Sequence, residues 1–156
     1  MATSFWPKWT YDGQAKPADP LNVVFENSML RDLRNFLQSN KGWNSNVFPA
    51  FDQFIPNPDL HNLKRQDLQL QSGNLLKRVH ARFWDLGNII VANVHHEVAG
   101  IPQHVVLDYH AAEMFLASMF ENQPPWTVKR DDREFHNYFG GHAIPYNDGR
   151  ATVITR

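Results

Sequence analysis

The sequence predicts an α+β fold, a single domain in which a mixed or antiparallel sheet of about five or more strands is covered by two main helices. Three observations support this prediction. Apolar residues recur at helical spacing in two segments, near residues 28–41 and 109–122. Several short runs either alternate between apolar and polar residues or are continuously apolar, as strands are. The 156 residues, 42% of them hydrophobic, suit one domain with a sizeable core.

The first 20 residues predict an N-terminal arm ahead of a folded domain that spans residues 21–156. The arm contains three prolines and shows no sustained periodicity. It also carries large aromatic side chains, and exposed apolar patches usually mark a contact. We therefore expect Phe5, Trp6 or Trp9 to be buried against the body or a neighbouring chain, which makes the arm a candidate contact for a protein partner or a homo-oligomer.

A first strand and a first helix follow the arm. Residues 21–25 form a short β-rich run. Asn27 or Ser28 can cap the helix after it, because their side-chain oxygens accept backbone N–H groups. Gly42 lies just past the helix, where a left-handed residue is common. Residues 43–66 mix aromatic residues with prolines, and we interpret them as a loop-rich layer packed on the core.

The middle of the chain has the clearest strand pattern. Residues 67–71 predict a short edge strand, and residues 78–84 and 89–97 predict a hairpin around turn residues 85–88. Residues 103–107 predict a third strand beside it. Side chains alternate along a strand, so His80, Arg82 and Trp84 share one face, whereas the adjacent His95 and His96 point to opposite faces.

The second helix and two final strands complete the predicted domain. Asp108 is a good N-cap for the helix. Pro124 and Pro125 end it, because the residue before a proline avoids the helical region. Residues 126–130 and 150–155 predict the last two strands, the second of them after an Asn-Asp-Gly turn.

Composition argues against several classes of protein. Fifteen basic and 16 acidic residues give a net charge of -1, without the basic excess of a nucleic-acid-binding protein. The chain has no cysteine, which excludes disulfides and thiolate metal sites and suits a reducing compartment, so we expect a cytoplasmic protein. We expect no signal peptide and no membrane insertion, because no apolar run approaches the ~20 residues that span a bilayer. Phosphate-loop and GxSxG motifs are also missing from the sequence.

Eight histidines invite a metal-site hypothesis. His80, His104 and Asp108 converge if the three middle strands are neighbours, and imidazole and carboxylate groups are suitable ligands for zinc or another divalent metal. The alternative is that the imidazoles form ordinary hydrogen bonds at the sheet edge or surface, while Asp108 only caps its helix. Arg82 is open to two interpretations as well, since it can bind an anionic ligand or pair with an acidic residue, Asp67 or Glu97.

Four segments together suggest a family. They are Arg65-Gln-Asp-Leu-Gln-Leu-Gln71, Val79-His-Ala-Arg-Phe-Trp84, His104-Val-Val-Leu-Asp108 and Pro145-Tyr-Asn-Asp-Gly-Arg150. Their order and spacing resemble the LssY C-terminal domain over residues 20–155. The matching positions are Asp67, Gln71, His80, Arg82, Trp84, His104, Asp108, Asp148 and Gly149. The predicted topology brings His80, Arg82, His104 and Asp108 toward one region, and we expect at least three of the four to lie in one polar cluster. The resemblance adds Trp84 and Asp148 as candidate members, but it implies no established activity.

Two hypotheses about function remain open at this point. The first is a binding or interaction module without catalytic activity, with the aromatic arm as a contact surface. The second is a metal-dependent hydrolase that uses His80, His104 and Asp108 as ligands. Elemental analysis of the purified, untagged protein distinguishes a metal-bound chain from a metal-free one.

Overall fold

The computed structural model describes residues 7–45, 51–56, 62–74, 77–98, 105–130, 138–139, 142–143 and 150–156. The elements in chain order are β1 (Trp9–Tyr11), β2 (Pro17–Pro20), β3 (Val23–Glu26), α1 (Leu30–Asn35), β4 (Phe54–Pro56), β5 (Leu63–Arg65), β6 (Leu68–Gly73), β7 (Lys77–Asp85), β8 (Ile89–Val98), β9 (Val105–Asp108), α2 (His110–Ser118), β10 (Thr127–Arg130), β11 (Tyr138–Phe139), β12 (His142–Ala143) and β13 (Thr152–Thr155). A π-helical stretch, Phe36–Asn40, continues α1. The prediction of a mixed α+β fold is confirmed.

The larger sheet has seven strands within the described residues. Its order is β10-β13-β3-β8-β7-β6, and β9 also pairs with β8. The sheet is mixed, because β13 and β3 are parallel while the other neighbours are antiparallel. Its centre is the predicted hairpin of β7 and β8, which pairs residues from Lys77↔Val98 to Asp85↔Ile90. The turn needs a positive φ, which Gly87 supplies at +90°.

A second sheet corrects the prediction of a single sheet. In the described part of the chain it has four strands in the order β2-β1-β4-β5. Two of these strands lie within the predicted arm and two within the predicted loop layer. Each has only three or four residues, too few to show an alternating pattern, so their pairing determines their conformation: β1 pairs with β2 and β4 pairs with β5 nearby in sequence, and β1 pairs with the distant β4. Trp9 is buried, as expected, whereas Phe5 and Trp6 lie outside the described residues.

The two faces of the larger sheet bury different side chains. One face packs against the helices through residues that include Phe25, Phe83, Leu116 and Phe120. The opposite face carries a second apolar cluster, in which Ile55 of β4 joins residues of the larger sheet. The second sheet therefore contacts this face, and buried polar residues lie there as well.

Helix ends differ in detail from the prediction. Neither predicted residue caps α1, since Asn27 adopts a left-handed φ of 54° and the Ser28 hydroxyl donates to the Glu26 carbonyl at 3.0 Å. Gly42 has the expected positive φ, +73°. The N-cap of α2 is Tyr109 and not the predicted Asp108, but the Oδ1 of Asp108, one residue earlier, accepts a hydrogen bond from the Ala112 amide at 3.1 Å. Neither helix in the described part of the chain is long and apolar enough to cross a membrane.

Candidate metal centre

The hairpin of β7 and β8 carries a layer of polar side chains on the face turned away from the helices. Residues that pair across antiparallel strands share a face. The register therefore gathers one set of buried residues, named here the polar layer: Arg78 opposite Glu97, His80 opposite His95, and Arg82 opposite Asn93. Burying a polar side chain costs free energy unless the side chain forms hydrogen bonds. The hydrogen bonds in this layer therefore show which atoms are satisfied and which are not.

His80 has one ring nitrogen in a hydrogen bond and one without a partner. Its Nε2 lies 2.8 Å from Gln69 Oε1, and because a carbonyl oxygen only accepts, Nε2 carries the proton. The side chain is 1% exposed, and burial lowers the pKa of His80 to about 3, so the ring is neutral. Its Nδ1 therefore presents a lone pair, is buried without a hydrogen-bond partner, and lies 3.8 Å from Glu97 Oε2.

His95 is oriented by the neighbouring amide of Asn93. Asn93 Nδ2 donates to the Pro20 carbonyl at 2.6 Å, which fixes Asn93 Oδ1 toward His95 Nδ1 at 2.9 Å. Nδ1 is therefore the donor, and Nε2 lies 2.8 Å from Glu97 Oε2. Two lone pairs repel at that distance, so a proton or a cation must lie between the imidazole and the carboxylate.

Glu97 connects the two imidazoles to Arg78. Its Oε1 accepts from Arg78 Nε, and Arg78 Nη1 donates to Gln71 Oε1 at 2.8 Å. Its Oε2 faces the two histidines. Burial alone would raise the pKa of Glu97, but hydrogen bonding to His95 outweighs that effect and holds the pKa below its usual range. The carboxylate is therefore ionised, with one oxygen directed at both rings.

His80, His95 and Glu97 together form a candidate metal centre, the name used for them below. One ligand atom from each residue lies within 4.8 Å of the other two. Tetrahedral zinc bonds of about 2.1 Å place ligand atoms roughly 3.4 Å apart. The separations of Glu97 Oε2 from His95 Nε2 and from His80 Nδ1, 2.8 Å and 3.8 Å, lie on either side of that value.

A second group of polar contacts joins the polar layer to the second sheet. Asp19 of β2 accepts a hydrogen bond from the Tyr109 hydroxyl and another from Gln53 Nε2 at 2.5 Å. Burial would raise the pKa of Asp19, but the neighbouring His95 and Arg82 outweigh it, so the pKa lies below its usual range. Arg82 donates from Nε and Nη2 to the Phe51 carbonyl, at 3.2 Å and 3.0 Å.

The residues predicted from the sequence take different positions. His80 and Arg82 lie together in the polar layer. Trp84 shares their face but is fully buried in the second apolar cluster, where its Nε1 donates to the Lys64 carbonyl at 3.0 Å. His104 and Asp148 lie outside the described residues.

The structure does not bring Asp108 to His80. Asp108 pairs with His96, and Nδ1 of that histidine lies 3.1 Å and 3.2 Å from the two carboxylate oxygens. His96 follows His95 on β8 and therefore points to the helix side of the sheet, as expected for adjacent residues of a strand. The predicted ligand set of His80, His104 and Asp108 is therefore wrong in including Asp108, which lies on the other face of the sheet from His80.

Sequence reasoning missed His95 and Glu97 as partners of His80. Both lie on β8 with their side chains on the face of His80, because they are two residues apart. The signal available for them is the pairing register of the hairpin, which places His95 directly opposite His80.

No family model matches the chain, and no curated protein or solved structure matches it.

Proposed function

We propose that this protein is a binding module that holds one divalent transition-metal ion, of which zinc is the best fit, at His80, His95 and Glu97. The observation that carries the proposal is the buried Nδ1 of His80, a lone pair without a hydrogen-bond partner beside an ionised carboxylate. A bound cation would satisfy that lone pair. It would also occupy the position between His95 Nε2 and Glu97 Oε2, where a proton or a cation is required.

The types of ligand support a borderline metal rather than a hard one. Two neutral imidazoles and one carboxylate suit zinc and its neighbours, whereas calcium and magnesium prefer oxygen ligands. Glu97 is limited to one oxygen, because Arg78 occupies the other. Monodentate binding of that kind favours low coordination numbers, as in tetrahedral zinc sites.

Surrounding hydrogen bonds support the same proposal. Metal-bound histidines generally donate their second ring N–H to a carbonyl or carboxylate, which fixes the tautomer and the orientation of the ring. Gln69 accepts from His80 Nε2 and Asn93 accepts from His95 Nδ1. Both rings are therefore oriented with their remaining nitrogen toward Glu97, before any metal arrives.

Burial favours binding over hydrolysis as the function. A metal-dependent hydrolase must bring the scissile bond of a larger substrate to the ion, but His80, His95 and Glu97 are 1%, 2% and 6% exposed. The resemblance to the LssY C-terminal domain is also a proposal, and it rests on the order and spacing of the four sequence segments alone. We also propose a cytoplasmic location, because a chain without cysteine suits a reducing compartment.

Metal binding is tested on untagged, chelator-stripped protein titrated with Zn²⁺. We expect one equivalent to bind and to raise the melting temperature, since a ligand held only by the folded state adds about 2.7 kcal/mol at a hundredfold excess over its dissociation constant. His80→Gln is the chief variant, because His80 makes a single hydrogen bond and its loss leaves the Arg78–Glu97 pair intact. This variant should lose the zinc-dependent rise.

His96→Gln is the matched control, because it removes the adjacent imidazole on the opposite face of β8. It should bind zinc as the wild type does. The proposal fails if zinc does not change the melting temperature of the wild type. It also fails if His96→Gln and His80→Gln weaken zinc binding equally.

A further inference from the structure

We infer that the bound metal and Arg82 together form a site for a small carboxylate-type anion, such as formate, acetate or bicarbonate. The inference rests on the proposed metal centre and adds a second ligand to it. Three protein ligands leave a tetrahedral ion one further coordination position.

The formal charges around the metal centre favour an anion. Within the described residues, the buried guanidinium groups of Arg78 and Arg82 are balanced by the carboxylates of Asp19 and Glu97 when both imidazoles are neutral. A divalent ion adds two positive charges to this balanced, desolvated set. An uncompensated buried charge is costly, so an anionic fourth ligand is favoured over a neutral one.

Arg82 is suited to hold such an anion. It is 5% exposed, and its Nε and Nη2 donate to the Phe51 carbonyl. Both of these bonds go to one neutral carbonyl oxygen, and a guanidinium has five N–H donors in a planar fork that matches a carboxylate. Arg78 differs, because it is already engaged by Glu97 and Gln71.

Position along the strand brings Arg82 beside the metal ligands. It lies two residues from His80 on the same face of β7, a spacing of roughly 7 Å between Cα atoms. It also lies opposite Asn93, the residue that orients His95. An anion bound to the metal and extending along the strand would therefore meet the guanidinium, and the burial of the layer restricts the site to small molecules.

The test uses protein loaded with Co²⁺, whose visible absorption responds to a change of coordination. Formate is added as the smallest carboxylate. We expect a saturable spectral change in the wild type and an apparent formate affinity at least about tenfold weaker in Arg82→Lys, which keeps the charge but loses the fork. Arg65→Lys is the matched control, since Arg65 is an exposed arginine on β5 of the second sheet, and it should respond as the wild type does.

The outcomes separate the two proposals. If Co²⁺ and Zn²⁺ do not bind, the metal centre is refuted. If Co²⁺ binds but its spectrum changes with pH and not with formate, water or hydroxide is the fourth ligand and the anion site is refuted while the metal centre stands. If Arg82→Lys binds Co²⁺ and responds to formate as strongly as the wild type, the role of Arg82 is refuted.

Discussion

Loss of stability in mild acid should depend on His80. Burial lowers the pKa of this imidazole to about 3 from its ordinary 6.5, so between those values the unfolded chain binds a proton that the folded chain does not. Stability rises with pH wherever the unfolded state binds more protons. The contribution of neutral His80 is therefore fully present above pH 6.5 and is lost progressively as the pH falls toward 3.

The size of the effect follows from the same two values. For a metal-free protein with a pKa of 6.5 unfolded and about 3 folded, lowering the pH from 7 to 5 removes about 2 kcal/mol from the free energy of unfolding. Between pH 7 and pH 5, acidic groups contribute little to the change in the free energy of unfolding. Glu97 and Asp19 have ordinary values of 4.5 and 3.8, so their lowered pKa values affect stability mainly at still lower pH.

Urea unfolding of chelator-stripped protein at pH 7 and pH 5 measures this difference. The wild type should lose about 2 kcal/mol more than His80→Gln over that interval, because glutamine cannot take up the proton. His96→Gln removes the neighbouring histidine, which is 22% exposed, and should retain the fall that His80 causes.

Equal losses in the wild type and in His80→Gln would refute the reasoning. If the variant does not fold, the imidazole of His80 can be followed by NMR in the wild-type protein. Its ring resonances should show no titration between pH 7 and pH 5. A midpoint near 6.5 would show that the ring is not held neutral by burial.

Two further predictions concern the supporting structure. Asp108→Ala should cost roughly 1 kcal/mol by removing the acceptor for the Ala112 amide, and it should leave zinc affinity unchanged, so a loss of zinc binding on titration would contradict the assignment of ligands. Trp9→Ala should cost roughly 3 to 5 kcal/mol in urea unfolding because Trp9 is buried, whereas Phe51→Ala, at a side chain that is 60% exposed, should cost far less. Similar costs for the two substitutions would show that β1 contributes little to stability.

The strands of the larger sheet could be predicted from the sequence, whereas those of the second sheet could not. β7 and β8 have nine and ten residues, and their apolar and polar patterns are strong enough to identify them without tertiary information. β1, β2, β4 and β5 have three or four residues each, and β2 and β4 contain prolines. Without a run of alternating or β-branched residues, these segments become strands through their pairing with one another, so the local sequence carries little signal for the second sheet.

The error at Asp108 has a similar physical cause. A shift of one residue in strand register moves a side chain to the opposite face of the sheet. The sequence indicates that residues before α2 form a strand, but it contains no short turn that fixes the register between β8 and β9. The observed pairing of Asp108 with His96 directs the carboxylate to the helix side, away from His80.

The hairpin, in contrast, contains the information needed to find the metal centre. A turn of two residues that includes glycine is typical of hairpins, and Gly87–Asn88 is such a turn, with the Leu86 amide donating to the Ile89 carbonyl at 2.9 Å. Counting outward from Leu86 opposite Ile89 places His80 opposite His95 and then Arg78 opposite Glu97. A four-residue loop at residues 85–88 shifts the pairing by two and places His80 opposite Asn93 instead. The choice of turn therefore decides whether the two imidazoles and the carboxylate meet. Inserting two residues into this turn should shift the register and remove zinc binding even if both strands still form.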